Sequence, residues 1–148
     1  MPKIENKWDS LYDPRKQTWF TKLEEKAINW YFSRMFGKTI LSASGVKSGK
    51  IFEPGCGSGM TCVQFAQDGF DITLMDLSPN ALKKALTTFE NFGQSCKFTI
   101  GDLFNLPFPD EEFDVVFNQG VMEHFKIAGI NPDVGIQEML RVVKKDGT

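Results

Sequence analysis

From Lys50 to the last residue, short apolar runs alternate with segments whose apolar residues recur every three or four positions, a rhythm that few folds accommodate. Ile51-Phe52 reads as a short first strand, and Met60 to Gln67 as a helix stopped by Gly69. Asp71 to Met75 reads as a second strand. Ser78 as cap and Pro79 at the first helical position then open a helix that ends near Gly93, with Leu82, Ala85, Leu86 and Phe89 on one face. Cys96 to Ile100 alternates, with Cys96, Phe98 and Ile100 on one side, which predicts an edge strand with one exposed face. Val115-Val116-Phe117 is unbroken and apolar, as in a strand buried on both faces. A last helix from Asn131-Pro132 is expected to turn Ile136, Met139, Leu140 and Val143 inward and to end in Lys144-Lys145 before the turn Asp146-Gly147. Right-handed crossovers then give a mostly parallel sheet in an α/β, Rossmann-like three-layer sandwich.

The chain before Lys50 is different. A polar arm runs through about Lys16, and Thr18 caps a helix to about Phe36 in which Phe20, Leu23, Ala27, Trp30 and Tyr31 recur at helical spacing. Gly37 is its natural stop, and Ser42-Ala43-Ser44-Gly45 and Lys47-Ser48-Gly49 form a linker. Residues 1–45 are thus an arm and helix, and residues 46–148 a core, within one domain. Hydrophobic residues at 41% and charged residues at 24% are ordinary for a soluble domain, and a net charge of -2 asks for neither nucleic acid nor an anionic membrane. Cys56, Cys62 and Cys96, with a single histidine, His124, suit neither a disulfide framework nor a zinc site, so no metal is expected. Without a signal peptide or an apolar run near ~20 residues, a cytoplasmic location is expected.

Ligands of open parallel sheets bind beyond the carboxyl ends of the strands. After the first strand come Glu53-Pro54-Gly55-Cys56-Gly57-Ser58-Gly59, after the second Asp76, after the third Gly101-Asp102, and after the fourth Asn118-Gln119-Gly120. Glycines at 55, 57 and 59 let a ligand reach the main chain and open a helix whose free N–H groups face an electron-rich group. Asp76 is placed to accept hydrogen bonds from two ribose hydroxyls. Such a set suits a nucleoside cofactor with an anionic or zwitterionic tail. The dinucleotide fingerprint is G-x-G-x-x-G, whereas here the spacing is G-x-G-x-G and Met60 stands at the next position. Cys56, near a helix start, has two readings: a thiol of lowered pKa, or a small residue packed in the loop.

Ile51 to Gly59 resembles motif I of class I S-adenosylmethionine-dependent methyltransferases. Gly101-Asp102, Leu106 to Asp110, Phe113 to Val116 and Glu123-His124 resemble the small-molecule branch that includes ubiquinone and menaquinone methyltransferases, and Glu138 to Gly147 resembles the approach to that family's fifth strand. The resemblance implies S-adenosyl-L-methionine as cofactor. Glu53 would face its amino group, with the Gly55, Cys56, Gly57 and Gly59 backbone against its aminocarboxypropyl chain. Asp76 would hold the ribose, with Leu77 and Leu103 against the adenine, Asp102 accepting from the adenine amino group, and Asn118 near the methyl. Asp102 also reads as a turn cap. His124 is a candidate base for an acceptor hydroxyl, because imidazole ordinarily exchanges its proton near neutral pH, although Glu123 and His124 also read as orienting the loop after the fourth strand. Trp8, Tyr12 and Trp19 read either as a cover for the ligand or as core anchors.

The family has seven strands, and this sequence ends after a turn that should introduce the fifth. The expectation is a fragment with an exposed, apolar fourth strand, poor stability in isolation, impaired turnover and a tendency to self-associate through that edge. Two rival functions fit part of the pattern: a nicotinamide-dependent oxidoreductase, and a non-catalytic partner subunit that keeps the fold.

Overall fold

A computed structural model describes residues 19–127 and 129–148. In chain order the elements are α1 (Trp19–Ser44), β1 (Lys50–Pro54), α2 (Met60–Gln67), β2 (Asp71–Asp76), α3 (Pro79–Asn91), β3 (Lys97–Ile100), β4 (Val115–Val116), α4 (Met122–Ile127) and α5 (Asp133–Val142). The four strands are parallel and ordered β3-β2-β1-β4. The order therefore reverses between β1 and β4, which is where a doubly wound sheet opens a crevice.

Strand alternation sorts the core into two layers. Ile51, Ile72, Leu74 and Val115 face one side, where they pack with Phe65 of α2, Phe89 of α3 and the partly buried Phe36, Ile40 and Leu41 of α1. Phe52 and Met75 face the other, against Leu103, Leu106, Phe113, Phe125 and Val142. Phe52 stacks on Phe113 at 4.8 Å and meets Phe108 edge-on at 4.9 Å, so it ties β1 to the segment ahead of β4. Arg141 braces the same segment: it donates to the carbonyls of Leu106 and Phe108 and to the carboxylates of Glu138 and Asp110. This is the three-layer α/β/α architecture expected of the alternating pattern.

Several local expectations are corrected. The first helix does not stop at Gly37 but runs to Ser44, and Gly45, at φ 66°, ends it by donating its N–H to the Leu41 carbonyl. Gly37 is instead a packing glycine: a Cβ there would lie 3.2 Å from the Phe65 ring, so the bare backbone lets α1 approach α2. Trp30 and Tyr31 are exposed, and among the described side chains of α1 Phe36, Gly37, Ile40 and Leu41 face inward, while the side chains of Phe20, Leu23 and Ala27 lie outside the described residues. Thr18, Trp8 and Tyr12 lie outside the described residues, as does the Trp19 side chain.

The Cys96–Ile100 segment is an edge strand, but Phe98 and Ile100 are exposed rather than packed. In α3 Leu86 is also exposed, while Leu82, Ala85 and Phe89 are buried as the pattern required. In α5 Ile136 and Leu140 point outward, and Gly135, Met139 and Val142 form the inner face. The short helix α4 replaces the loop expected around Glu123 and His124. Among the described residues, the outer side of β4 is not bare. The Val116 N–H donates to the Thr148 carbonyl and the Thr148 N–H to the Asp114 carbonyl, while Phe113 exchanges bonds with Val142 and Lys144. No described helix is long and apolar enough to cross a membrane.

Candidate functional site

The strand tips converge because the register aligns Pro54 with Met75, and Asp76 with Ile100. Beyond β1 the chain must turn at once to start α2, and three left-handed glycines make the turn: Gly55 (φ 71°), Gly57 (φ 53°) and Gly59 (φ 64°). The turn is pinned to the tip of β2. The Gly55 and Cys56 N–H groups both donate to the Met75 carbonyl, at 2.7 and 3.1 Å, and the Gly57 N–H donates to Asp76 Oδ2 at 2.9 Å. The other oxygen of Asp76 accepts from the Ser78 N–H at 2.9 Å, and Ser78 Oγ caps α3 by accepting from Ala81.

Gly59 is required on two counts. Its φ is left-handed, and a Cβ would stand 2.9 Å from Leu74 Cδ1 and 3.3 Å from both Ala85 and Phe89. Gly59→Ala is expected to destabilise the chain by about 1–3 kcal/mol through strain and overpacking, read as a lower urea midpoint at unchanged slope. Gly55 is equally constrained, since a Cβ there would collide with Val121.

Together these elements bound a cleft of about 310 Å³, within the range of small-molecule sites. Of the residues singled out from sequence, Glu53, Gly55, Cys56, Gly57, Ser58, Asp76, Leu77, Gly101, Leu103, Gln119 and Gly120 line it. Gly59 supports it from behind. Asp102, Asn118 and His124 are not among the lining residues. Asp102 accepts from the Phe104 N–H at 2.9 Å and so holds the turn that presents Leu103, as the turn-cap reading required. Asn118 is partly buried at the tip of β4, its Nδ2 buried without a partner. His124 is exposed on α4, whose neighbours Val121 and Phe125 reach the cleft in its place. Sequence reasoning missed Phe32 and Ser33 of α1, Met60 and Thr61 of α2, Val121 and Phe125. Only Met60 and Thr61 carried a local signal, because they follow the glycine turn directly.

Glu53 shares the face of Ile51 and is 3% exposed. Burial raises its pKa to about 8, against a hydrogen bond from the Cys62 thiol that lowers it, and Oε2 has no partner. Desolvation also raises Asp76, opposed by the N–H groups of Ser78 and Gly57. For Cys56 the packing reading holds: it is buried, and burial pushes its thiol well above the ordinary value, as it does for Cys62. Neither thiol is a nucleophile at neutral pH. Among the described residues no group of three or more His, Cys, Asp or Glu is placed to hold a metal ion.

A cleft at the switch point of a doubly wound sheet, floored by a glycine turn and flanked by two partly desolvated carboxylates, defines the class of α/β domain. The chain belongs to the methyltransferase domain family, whose model matches residues 52–148, and within it to the class I S-adenosylmethionine-dependent group. It is 32% identical over 110 residues to an uncharacterized methyltransferase of Schizosaccharomyces pombe, covering 68% of this chain and 38% of that one. It is 35% identical over 100 residues to the 2-methyl-6-phytyl-1,4-hydroquinone methyltransferase of Synechocystis, covering 66% of this chain and 29% of that one. The fold matches a crystal structure of a candidate S-adenosyl-L-methionine-dependent methyltransferase from Methanococcus maripaludis. That match has a TM-score of 0.75 at 20% identity and covers 83% of this chain and 56% of that one. The chain therefore spans well under half the length of these two curated relatives.

Proposed function

We propose that this chain holds S-adenosyl-L-methionine in the cleft over β1, β2 and β3 and directs its methyl group to a small-molecule acceptor. The observation that supports this most is Glu53: a buried carboxyl oxygen without a partner, lining the cleft beside bare main chain. A buried acceptor left unpaired is costly unless a ligand donor completes it, and an ammonium group is the donor that also repays the ionisation of a desolvated acid. The Gly55 and Gly57 backbone would lie against the rest of the tail. Asp76 accepts an N–H on each oxygen from Gly57 and Ser78, and with about four acceptor positions a carboxylate keeps capacity for ribose hydroxyls. Leu77 and Leu103 offer apolar walls to a base.

When bound, the cofactor would supply a methyl already activated on a sulfonium for transfer to an oxygen, nitrogen or carbon of the acceptor, whose proton would pass to water. The protein's task is then to align the reactants and exclude water, effects worth about 7–11 kcal/mol when geometry is good. A dedicated base is not required for that task. His124, exposed on α4, stands outside the residues assigned a role.

The family match and the packed third glycine disfavour the nicotinamide reading. Calorimetric titration of the full chain with S-adenosyl-L-methionine and with a reduced nicotinamide dinucleotide separates the two. Saturable heat is expected from the first alone. Heat from the dinucleotide alone would reverse the assignment.

A further inference from the structure

Gly135 is the third residue of α5 and is buried, yet its backbone is not left-handed. Helical geometry therefore asks nothing of glycine at this position, and glycine inside a helix is unfavourable beside alanine. What the missing side chain provides is room. A Cβ at Gly135 would stand 3.1 Å from Leu103 Cγ and 3.3 Å from its Cδ2, tighter than ordinary van der Waals contact, with Met122 Cε at 3.7 Å.

Leu103 stands between that bare helix backbone and the cleft. It lines the cleft while only 4% exposed, and it belongs to the packed layer of Phe52, Met75, Phe113 and Val142. A side chain pushed inside a close-packed layer moves toward the one open space beside it, so pressure from α5 would drive Leu103 into the cleft. Nor is α5 free to back away. Glu138 Oε2 accepts the Leu106 N–H at 2.8 Å, and Arg141 donates to the Leu106 and Phe108 carbonyls at 3.1 and 2.8 Å. These bonds tie the helix to the same segment that carries Leu103.

We infer that Gly135 is a positioning residue: its bare Cα holds the Leu103 side chain back from the cleft and so sets the depth of the wall against which a nucleoside base lies. The inference rests on the cofactor reading, which makes Leu103 that wall. Gly135 itself touches no ligand and acts through Leu103. A methyl group at 135 would advance Leu103 by a few tenths of an ångström and crowd the face of a flat base.

A mutant cycle on the full chain tests this, with S-adenosyl-L-homocysteine and adenosine as calorimetric probes and thermal melting as the fold control. Gly135→Ala should weaken both probes about tenfold without lowering the melting temperature, because alanine favours the helix. Leu103→Val should weaken the wild type about threefold through lost contact. In the Gly135→Ala background the same change should instead strengthen binding about threefold, since the shorter side chain gives the space back. A glycine with a merely structural role would not produce that reversal of sign. Ile136→Ala, on the outer face of α5, should leave both affinities within about twofold. If Gly135→Ala binds both probes as the wild type does, or if Leu103→Val deepens its loss, the positioning role is overturned and the cofactor reading stands. Should Gly135→Ala fail to fold, the double variant decides: it should fold and bind within about threefold of Leu103→Val, and a double variant that does neither overturns the role. If S-adenosyl-L-homocysteine fails to bind the wild-type chain, the cofactor reading and this inference fall together.

Discussion

Asp76→Ala is expected to weaken S-adenosyl-L-methionine at least about 100-fold, a loss of roughly 2.7 kcal/mol or more. The reasoning starts from acceptor capacity. The Gly57 and Ser78 N–H groups each use one acceptor position on an Asp76 oxygen, which leaves capacity for ligand hydroxyls, and Asp76 lines the cleft. Two hydrogen bonds to a charged acceptor are worth about 1.5–3 kcal/mol each, so even partial compensation by water leaves a large deficit. The variant also releases the Gly57 N–H and so loosens the turn, which makes the loss larger than the ribose contacts alone. Asp76→Asn separates the contributions, because it keeps an acceptor oxygen for the backbone and should lose about tenfold. Calorimetry gives the affinities and thermal melting reports whether the fold survives. Unchanged affinity in Asp76→Ala would remove the ribose from this part of the cleft.

Glu53→Gln is expected to do two opposite things. In the ligand-free chain the wild-type carboxyl has a pKa of about 8 against 4.5 for an unperturbed glutamate, with burial as the main cause. A folded pKa above the unfolded one means the folded state binds more protons between those values. The stability is thus fully present below about pH 4.5 and is lost as pH rises through 8. Replacing Glu53 with an uncharged amide should remove that slope and stabilise the ligand-free chain at pH 8 by something on the order of 2–4 kcal/mol. The melting temperature of the wild type should fall between pH 6 and pH 8, and that of Glu53→Gln should not.

Cofactor binding should respond in the other direction. An ammonium group entering beside Glu53 favours the carboxylate, so binding near pH 7 should release close to one proton. Affinity should rise with pH by up to about tenfold per unit until pH 8 is approached. Glu53→Gln should bind more weakly and release no proton, which titration in buffers of different ionisation heat detects. A wild-type chain whose binding releases no proton would disconnect Glu53 from the ligand.

What the sequence disclosed follows from where the determining forces are local. The bounds of α2 were legible because glycines flank it, and the Ser78-Pro79 start of α3 because a side-chain cap and a proline act within one turn of chain. Gly37 misled because its effect is not local. A glycine in a helix costs about 1 kcal/mol in isolation, but here contact with Phe65 of α2 outweighs that cost. In α5 periodicity centres the apolar arc on Ile136, Met139 and Leu140, yet the structure turns the side of Gly135, Met139 and Val142 inward. The packing of Gly135 against Leu103 chooses that side.

The same division runs through the candidate site. Its floor was legible, since Glu53, the glycine turn and Asp76 sit at strand ends where polar residues stand out. Its far wall was not. Phe32, Val121 and Phe125 look like ordinary core residues until folding brings α1 and α4 to the strand tips. Asp102 carries a local task as well as a motif position: its Oδ1 holds the turn that presents Leu103.

The central claim is spatial, and a crystal structure of the chain grown with S-adenosyl-L-homocysteine tests it most directly. The expected density has the ribose hydroxyls within hydrogen-bonding distance of Asp76, the amino group at Glu53 Oε2 and the tail against Gly55 to Gly57. Density for the nucleoside elsewhere on the molecule, with water left on Asp76 and Glu53, would contradict the account.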